Sequence, residues 1–239
     1  MIDLHSHILP KMDDGSSDVQ ETMRMLRESA RQGVEVMAAT PHFYAHRENP
    51  GQFLRRREES FKQIACEDSG MPVILLGAEV AYFNGMSGCE ALRDMRIGQS
   101  DLLLVEMPFA NWTGRMVDEV CSLREHLGVI PVLAHVNRYP DKSLFPRYQE
   151  QFRRSGVLFQ CNAEAFVSFL GSKKAADMLK KQGIHFLGSD CHNMNSRPPK
   201  LGDAAQKISS RLGGQVLDEL DMFAARMLGL SKNEGRINK

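Results

Sequence analysis

Short apolar runs recur along the chain, each followed by a stretch with helical periodicity. The runs cover residues 2–4, 34–39, 73–76, 102–105, 130–133, 157–159 and 184–187. They are β-branched or Leu-rich with little polar alternation, as expected of strands buried on both faces of a parallel sheet. Helices are predicted between them. The clearest covers residues 17–32, with Ser17 or Asp18 as its cap and Gly33 as its terminator. Others start near Pro50, Gly88, Thr113, Asp141, Gly171 and Lys200, and Gly213-Gly214 leads into a last one over 216–228. Seven β-then-α units in succession favour a closed or nearly closed parallel α/β barrel over a doubly wound sheet. Residues 1–230 read as one domain, and the polar stretch 231–239 as a frayed tail.

Composition narrows the function without changing this outline. Thirty basic side chains balance thirty acidic ones across 239 residues, which argues against a strongly basic nucleic-acid binder. No apolar run approaches the ~20 residues that span a bilayer, so membrane insertion is not expected. The start, Met1-Ile2-Asp3-Leu4-His5, lacks the basic leader and apolar stretch of a signal peptide. The five cysteines (Cys66, Cys89, Cys121, Cys161, Cys191) are odd in number with no CxxC spacing, which fits a reducing cytoplasm. There is no internal repeat or low-complexity linker.

The chemistry lies in the residues that close each apolar run. In order these are His5-Ser6-His7 with Asp13-Asp14-Gly15, Thr40-Pro41-His42, Gly77-Ala78-Glu79, Glu106, His135, Asn162, and Ser189-Asp190-Cys191-His192. In a parallel barrel these strand ends converge on one face, where active sites of that fold sit. Imidazoles and carboxylates suit divalent Mn, Fe or Zn, and no cysteine stands at the His-x-His positions to build a thiolate zinc site. His5 and His7, at i and i+2 on a strand, point to the same side and can clasp one ion. A multi-metal site of this kind generates a hydroxide at neutral pH and clamps both oxygens of a phosphoryl displacement. One His or Glu at a strand end is more often structural than a ligand. Five of eight histidines at such ends, with acids beside them, are much harder to assign to chance. Of the others, His126 suits a helix C-terminus, His185 opens a strand at the wrong end, and His46 sits in the loop after His42.

The set of HSH, DDG, TPH, the Glu79 and Glu106 strand ends, His135 with Asn137-Arg138-Tyr139, and SDCH resembles the polymerase and histidinol phosphatase (PHP) family. Within it, the chain is most similar to the bacterial manganese-dependent protein-tyrosine phosphatases of capsule and exopolysaccharide operons. The resemblance runs from Met1 to about Leu228 and implies a distorted seven-stranded (β/α) TIM-like barrel with three metal ions. It implies that His5, His7, Glu79 and Asp190 hold one ion, and that Glu79 bridges to a second, bound also by Glu106 and His135. Asp14, His42 and His192 would hold the third, with Asp13 the lesser candidate. Arg138 and Arg197 would grip phosphate, as guanidinium forks do. The implied substrate is phosphotyrosine on protein, attacked in line by a metal-bound hydroxide. The implied partner is a bacterial tyrosine kinase with a tyrosine-rich tail, in polysaccharide export. Asn162 would orient water or substrate, or serve as a plain strand-end hydrogen bond. The family's usual His-Pro-Glu-Arg-Tyr is here His135-Val136-Asn137-Arg138-Tyr139, and Cys191 replaces a small residue; both departures bear on substrate preference.

Two other readings use the same residues. Cys191 to Arg197 has the Cys-x5-Arg spacing of thiolate phosphatases, but no glycine lets backbone N–H groups wrap a phosphate, and Pro198-Pro199 disfavour a helix start there. The metal core would also serve a small substrate such as histidinol phosphate, or a nucleotide diester. Apolar helix stripes are compatible with burial and with an oligomer alike.

Overall fold

The computed structural model describes residues 1–64, 70–139, 141, 143–167 and 172–230. Among the described residues nine strands are formed: β1 (Ile2–Ser6), β2 (Val36–Ala39), β3 (His42–Phe43), β4 (Val73–Leu76), β5 (Glu79–Ala81), β6 (Leu102–Glu106), β7 (Ile130–Leu133), β8 (Leu158–Asn162) and β9 (Phe186–Gly188). All pair in parallel, in two hydrogen-bonded groups ordered β1-β2-β4 and β3-β5-β6-β7-β8-β9. The predicted runs 34–39 and 73–76 form β2 and β4, and each is followed by a further short strand, β3 or β5, that the apolar pattern did not predict. Pro41, with no N–H to donate, separates β2 from β3, and Gly77-Ala78 separates β4 from β5. A Cβ on Gly77 would lie 2.9 Å from Ile97 Cγ1, so this bend requires glycine. Through these bends the chain passes twice from one group to the other. Past β9 the backbone runs beside β1: Asp190 N donates to His5 O at 2.8 Å and His7 N to Cys191 O at 2.9 Å. The result is an α/β fold on a curled parallel sheet.

The helices are α1 (Val19–Arg31), α2 (Pro50–Gln63), α3 (Gly114–Leu127), α4 (Phe145–Arg154), α5 (Glu164–Val167), α6 (Ser172–Gln182), α7 (Leu201–Leu212) and α8 (Gln215–Met227). Asp18, rather than Ser17, caps α1 by accepting from Glu21 N, while Glu21 reaches back to Ser17 N. The helix expected near Gly88 is instead two 3-10 turns, Met86–Gly88 and Glu90–Met95. Cys89, extended at φ −90° and ψ 90°, interrupts helical continuity between them. The one expected near Asp141 starts at Phe145, because Asp141 Oδ1 accepts from Ser143 N and holds a turn. Gly171 and the expected tail 231–239 lie outside the described residues. Burial on both faces also fails for β4: as an edge strand it leaves Val73 43% exposed.

Each strand face has its own partner. Met37, Leu103, Val105, Leu133 and Phe159 pack with the helices, against Met25 and Leu26 of α1 and Val117, Val120 and Leu123 of α3. Ile2, Leu4, Val36, Ala38, Leu102, Leu104, Val132 and Phe186 form a second, inner cluster with Ala224 and Leu228 from the last helical segment. Alternation carries this inner face onward to Glu106 after Leu104, and to Gln160 and Asn162 after Leu158. In β1 the register shifts between Asp3 and Ser6, so Leu4 joins the inner cluster while the next ring, His5, meets Gln160. Such irregularities re-aim side chains beside functional sites.

Candidate metal centre

At the C-terminal strand ends the polar positions converge. His5 Nε2 and His7 Nε2 stand 3.1 Å apart, and both face Glu79 Oε2 (3.2 and 3.4 Å) and Asp190 Oδ1 (3.6 and 3.5 Å). On the other side of Glu79, His135 Nε2 lies 2.9 Å from Oε1 and 3.3 Å from Glu106 Oε1. His42 spans two groups, with Nδ1 2.9 Å from Glu79 Oε2 and Nε2 3.6 Å from Asp14 Oδ1; His192 Nε2 is 3.5 Å from that same oxygen. Three sets of donor atoms lie close enough to share an ion: His7, Asp14, His42 and His192; His5, His7 and Asp190; and His42, Glu79 and Glu106.

Local backbone chemistry fixes these positions. His135 (φ 33°) and Asp190 (φ 51°) both adopt the left-handed region, which L-residues enter at a cost and which clusters at functional sites. His135 N donates to Gln160 Oε1 at 2.6 Å, which pins the first of these turns. Two glycines are steric necessities. A Cβ on Gly15 would sit 2.3 Å from His7 O, and one on Gly188 2.6 Å from His5 Cβ.

The chemistry of the donor set at the centre suits a cation. Glu79 Oε2, His42 Nδ1 and His135 Nδ1 are buried without a hydrogen-bond partner, even though the first two atoms are 2.9 Å apart. Buried polar atoms are ordinarily satisfied. A divalent cation accepts lone pairs from imidazole and carboxylate together, so this donor set fits one. Burial opposes every charge here, yet pairing prevails at most positions. His135 is pushed up to about 9 by Glu106 and Glu79, and His7 is raised by Asp13, Asp190 and Glu79. The histidines hold Glu79 and Asp190 well below the usual carboxylate range. His192 goes the other way, to about 4, driven by burial and the charges of His7 and Arg197.

All nine expected metal-site residues therefore meet, although His5 and His192 are far apart in the chain. Arg197 Nη2 and Arg138 Nη1 approach Asp190 Oδ2 at 2.7 and 3.4 Å, and Arg197 Nη1 reaches His192 Nε2 at 2.7 Å. Asn162 Nδ2 donates to that Asp190 oxygen at 2.6 Å, so its contact is to the carboxylate. Asp13 lies inside and holds His7, whereas Asp14 is exposed and faces His42 and His192. His126 is in the last turn of α3, His185 Nδ1 accepts from Phe159 N, and His46 is an exposed loop residue. Sequence reasoning missed Gln160, which joins His5 to the His135 turn, and Phe109, whose ring lies parallel to His135. Gln160 carried a signal in its inward period with Asn162; Phe109 lies three residues past Glu106 in a loop, with no periodicity to mark it. Cys191 is fully buried, and burial pushes its thiol up to about 12, far from a thiolate nucleophile.

A family model described as capsular polysaccharide synthesis, CpsB/CapC, matches residues 1–228. The chain belongs to the CpsB/CapC family. It is 29% identical over 230 residues to the tyrosine-protein phosphatase CpsB of Streptococcus pneumoniae, covering 92% of this chain and 94% of that protein. It is 27% identical over 222 residues to the tyrosine-protein phosphatase YwqE of Bacillus subtilis, covering 90% and 87%. The fold of this CpsB/CapC member is similar to a solved structure from work on YwqE of B. subtilis and CpsB of S. pneumoniae, described there as unique metal-dependent tyrosine phosphatases. That match has a TM-score of 0.83 at 24% identity and covers 98% of this chain and 97% of the other.

Proposed function

We propose that this CpsB/CapC member is a metal-dependent phosphatase that hydrolyses phosphotyrosine on protein. The observation that carries the reading is the convergence on Glu79: three imidazoles crowd its buried Oε2, which has no hydrogen-bond partner, with two guanidinium groups close by on Asp190. In this reading His5, His7, Glu79 and Asp190 hold one ion, Glu79, Glu106 and His135 a second, and Asp14, His42 and His192 a third; manganese is the first candidate, iron and zinc the others. Divalent ions there would supply an ionised water at neutral pH and neutralise charge on the phosphate. The protein's own part is to place them and to bind the substrate. Arg138 and Arg197, each partly exposed, are positioned to leave Asp190 for the free phosphate oxygens and to oppose the charge that grows on them. Asp13 on His7 and Asn162 on Asp190 keep the donors aimed inward. A tyrosyl leaving oxygen has a pKa of about 10, so a cation bound there would stabilise it as it leaves and a strong general acid is unnecessary.

The same reading takes the fold as a distorted seven-stranded (β/α) barrel, each bent strand counting once and β1 meeting the segment after β9, in one domain over 1–230. It takes the substrate as the tyrosine-rich tail of a bacterial tyrosine kinase and the location as cytoplasmic. No described helix is long and apolar enough to cross a membrane. The deciding experiment is a substrate panel of a phosphotyrosyl peptide, histidinol phosphate and a nucleotide diester, each with manganese, with zinc and without metal. Metal-dependent turnover of the peptide above the other two is expected. Preference for histidinol phosphate or the diester would replace the protein substrate with a metabolite or nucleotide, and turnover indifferent to metal stripping would end the metal reading.

A further inference from the structure

Three large apolar side chains are exposed among the described residues, and they are not equivalent. Val73 is at a sheet edge and Met222, 64% exposed, is on the outer side of α8. Phe109, 53% exposed, is the aromatic one and stands over the candidate centre. Its ring lies nearly parallel to His135, at 14° and 5.7 Å between centroids, and the Arg138 guanidinium carbon is 5.6 Å from the Phe109 centroid.

The exposure is not the result of a loose loop. Met107 is clamped on both its N–H and its carbonyl by the buried Tyr139 hydroxyl, at 3.1 and 2.9 Å, and Trp112 Nε1 donates to Pro108 O. Tyr139 also supports the Phe109 ring at 5.5 Å and meets Trp112 edge-on at 5.0 Å. Phe109 is thus held in water by backbone pinned at the two residues before it, Met107 and Pro108, the latter by the indole of Trp112. Keeping an aromatic face solvated forgoes the gain of burying it, so a rigid, open platform of this kind is suited to a ligand surface.

We infer that Phe109 is the platform on which the aromatic ring of the substrate packs while Arg138 holds its phosphate. The inference rests on the phosphotyrosine reading and names what discriminates aryl from alkyl phosphates. In an aryl phosphate the ring is one oxygen away from phosphorus, so a surface that reads the ring must adjoin the group that grips the phosphate. Phe109 against Arg138 meets that condition. A seryl or sugar phosphate presents no aromatic ring to it, and aromatic pairs of this type prefer offset or edge contacts that a fixed ring can offer.

The test uses non-hydrolysable probes on the manganese-loaded chain. Dissociation constants for phenylphosphonate and methylphosphonate are measured by titration calorimetry in the wild type and in Phe109→Ala, Phe109→Leu, Phe109→Tyr and Met222→Ala. The wild type should favour the phenyl probe by about tenfold, in line with one stacked ring plus its buried area. That preference should collapse in Phe109→Ala, shrink in Phe109→Leu, and persist in Phe109→Tyr and Met222→Ala. A wild type without phenyl preference, or an unchanged ratio in Phe109→Ala, overturns the inference. Equal loss of both probes in Phe109→Ala also overturns it, since the side chain would then act only through Arg138 or His135. Failure of the wild type to hydrolyse a phosphotyrosyl peptide is a separate result that sinks the functional reading, whatever the phosphonate ratio.

Discussion

Asp13 Oδ2 lies 2.7 Å from His7 Nδ1 and accepts the His42 backbone N–H at 2.8 Å with the same oxygen. One carboxylate thus orients one imidazole and ties down the chain that carries another. Burial works against its charge, but the His7 partner and the His42 amide hold it well below the usual carboxylate range. The carboxylate accepts from His7, so the hydrogen bond fixes His7 with Nδ1 protonated and Nε2 turned toward the centre.

Asp13→Asn should therefore weaken metal binding while leaving all nine candidate ligands in place. A manganese titration followed by activity should show affinity lower by roughly 10–100-fold. Unchanged affinity would mean that His7 needs no orienting partner.

Gly15→Ala and Gly188→Ala test the steric frame. Each new methyl would meet His7 or His5 well inside van der Waals contact. Overpacking of this kind costs about 1–3 kcal/mol, so thermal unfolding of the metal-free protein should shift down and manganese affinity should fall with it. Gly85→Ala, where the added Cβ has open space but φ is +85°, should lower stability without touching metal affinity.

Cys191→Ser separates the metal route from a thiolate one. The thiol is buried and its pKa is raised to about 12, so turnover should stay within an order of magnitude of wild type, and iodoacetamide should leave wild-type activity intact. A buried hydroxyl costs about 1–3 kcal/mol where it lacks a partner, and denaturant unfolding would read that loss. Abolished turnover with metals still bound would revive the thiolate.

Arg197→Ala and Arg138→Ala should each lower kcat/KM for phosphotyrosyl peptide by about 10²-fold, the usual scale for removing one charge-stabilising donor. Arg197 touches both His192 and Asp190 at 2.7 Å, so its loss should disturb metal affinity as well, whereas Arg138→Ala, which loses only the 3.4 Å approach to Asp190, should disturb it less. Steady-state kinetics at saturating manganese separate the two effects.

His135 contributes to the pH dependence of the metal-free protein alongside His7 and His42, which are raised as well; its folded pKa of about 9 exceeds the ordinary 6.5. Its folded form binds the proton more tightly, so this stabilisation is complete below pH 6.5 and disappears as pH rises through 9, a loss on the order of 3 kcal/mol. Urea unfolding of stripped protein at pH 6.5 and 9 checks this. Metal must displace that proton, so manganese affinity should rise over the same interval. A flat stability profile would mean that His135 is not charged in the metal-free fold.

The sequence determined the order of the donors and the strand ends that carry them. His5, His7, His42, Glu79, Glu106, His135, Asp190 and His192 are each adjacent to an apolar run, and parallel βα units place such ends on one side. That reading needs only local periodicity. The short strands past Pro41 and Gly77 were less legible, because a bend that lets the chain resume pairing depends on what packs across it; at Gly77 that is Ile97. The division of labour between Asp13 and Asp14 could not be decided locally either: adjacent and chemically identical, one turns in to His7 and the other out toward His42 and His192. Gln160, Phe109 and the left-handed turns at His135 and Asp190 likewise exist as site features only once distant strands are side by side. A side chain's type is written in the chain, but the direction in which it points is set by hydrogen bonds and contacts with residues far away in sequence, and these form only in the folded sheet.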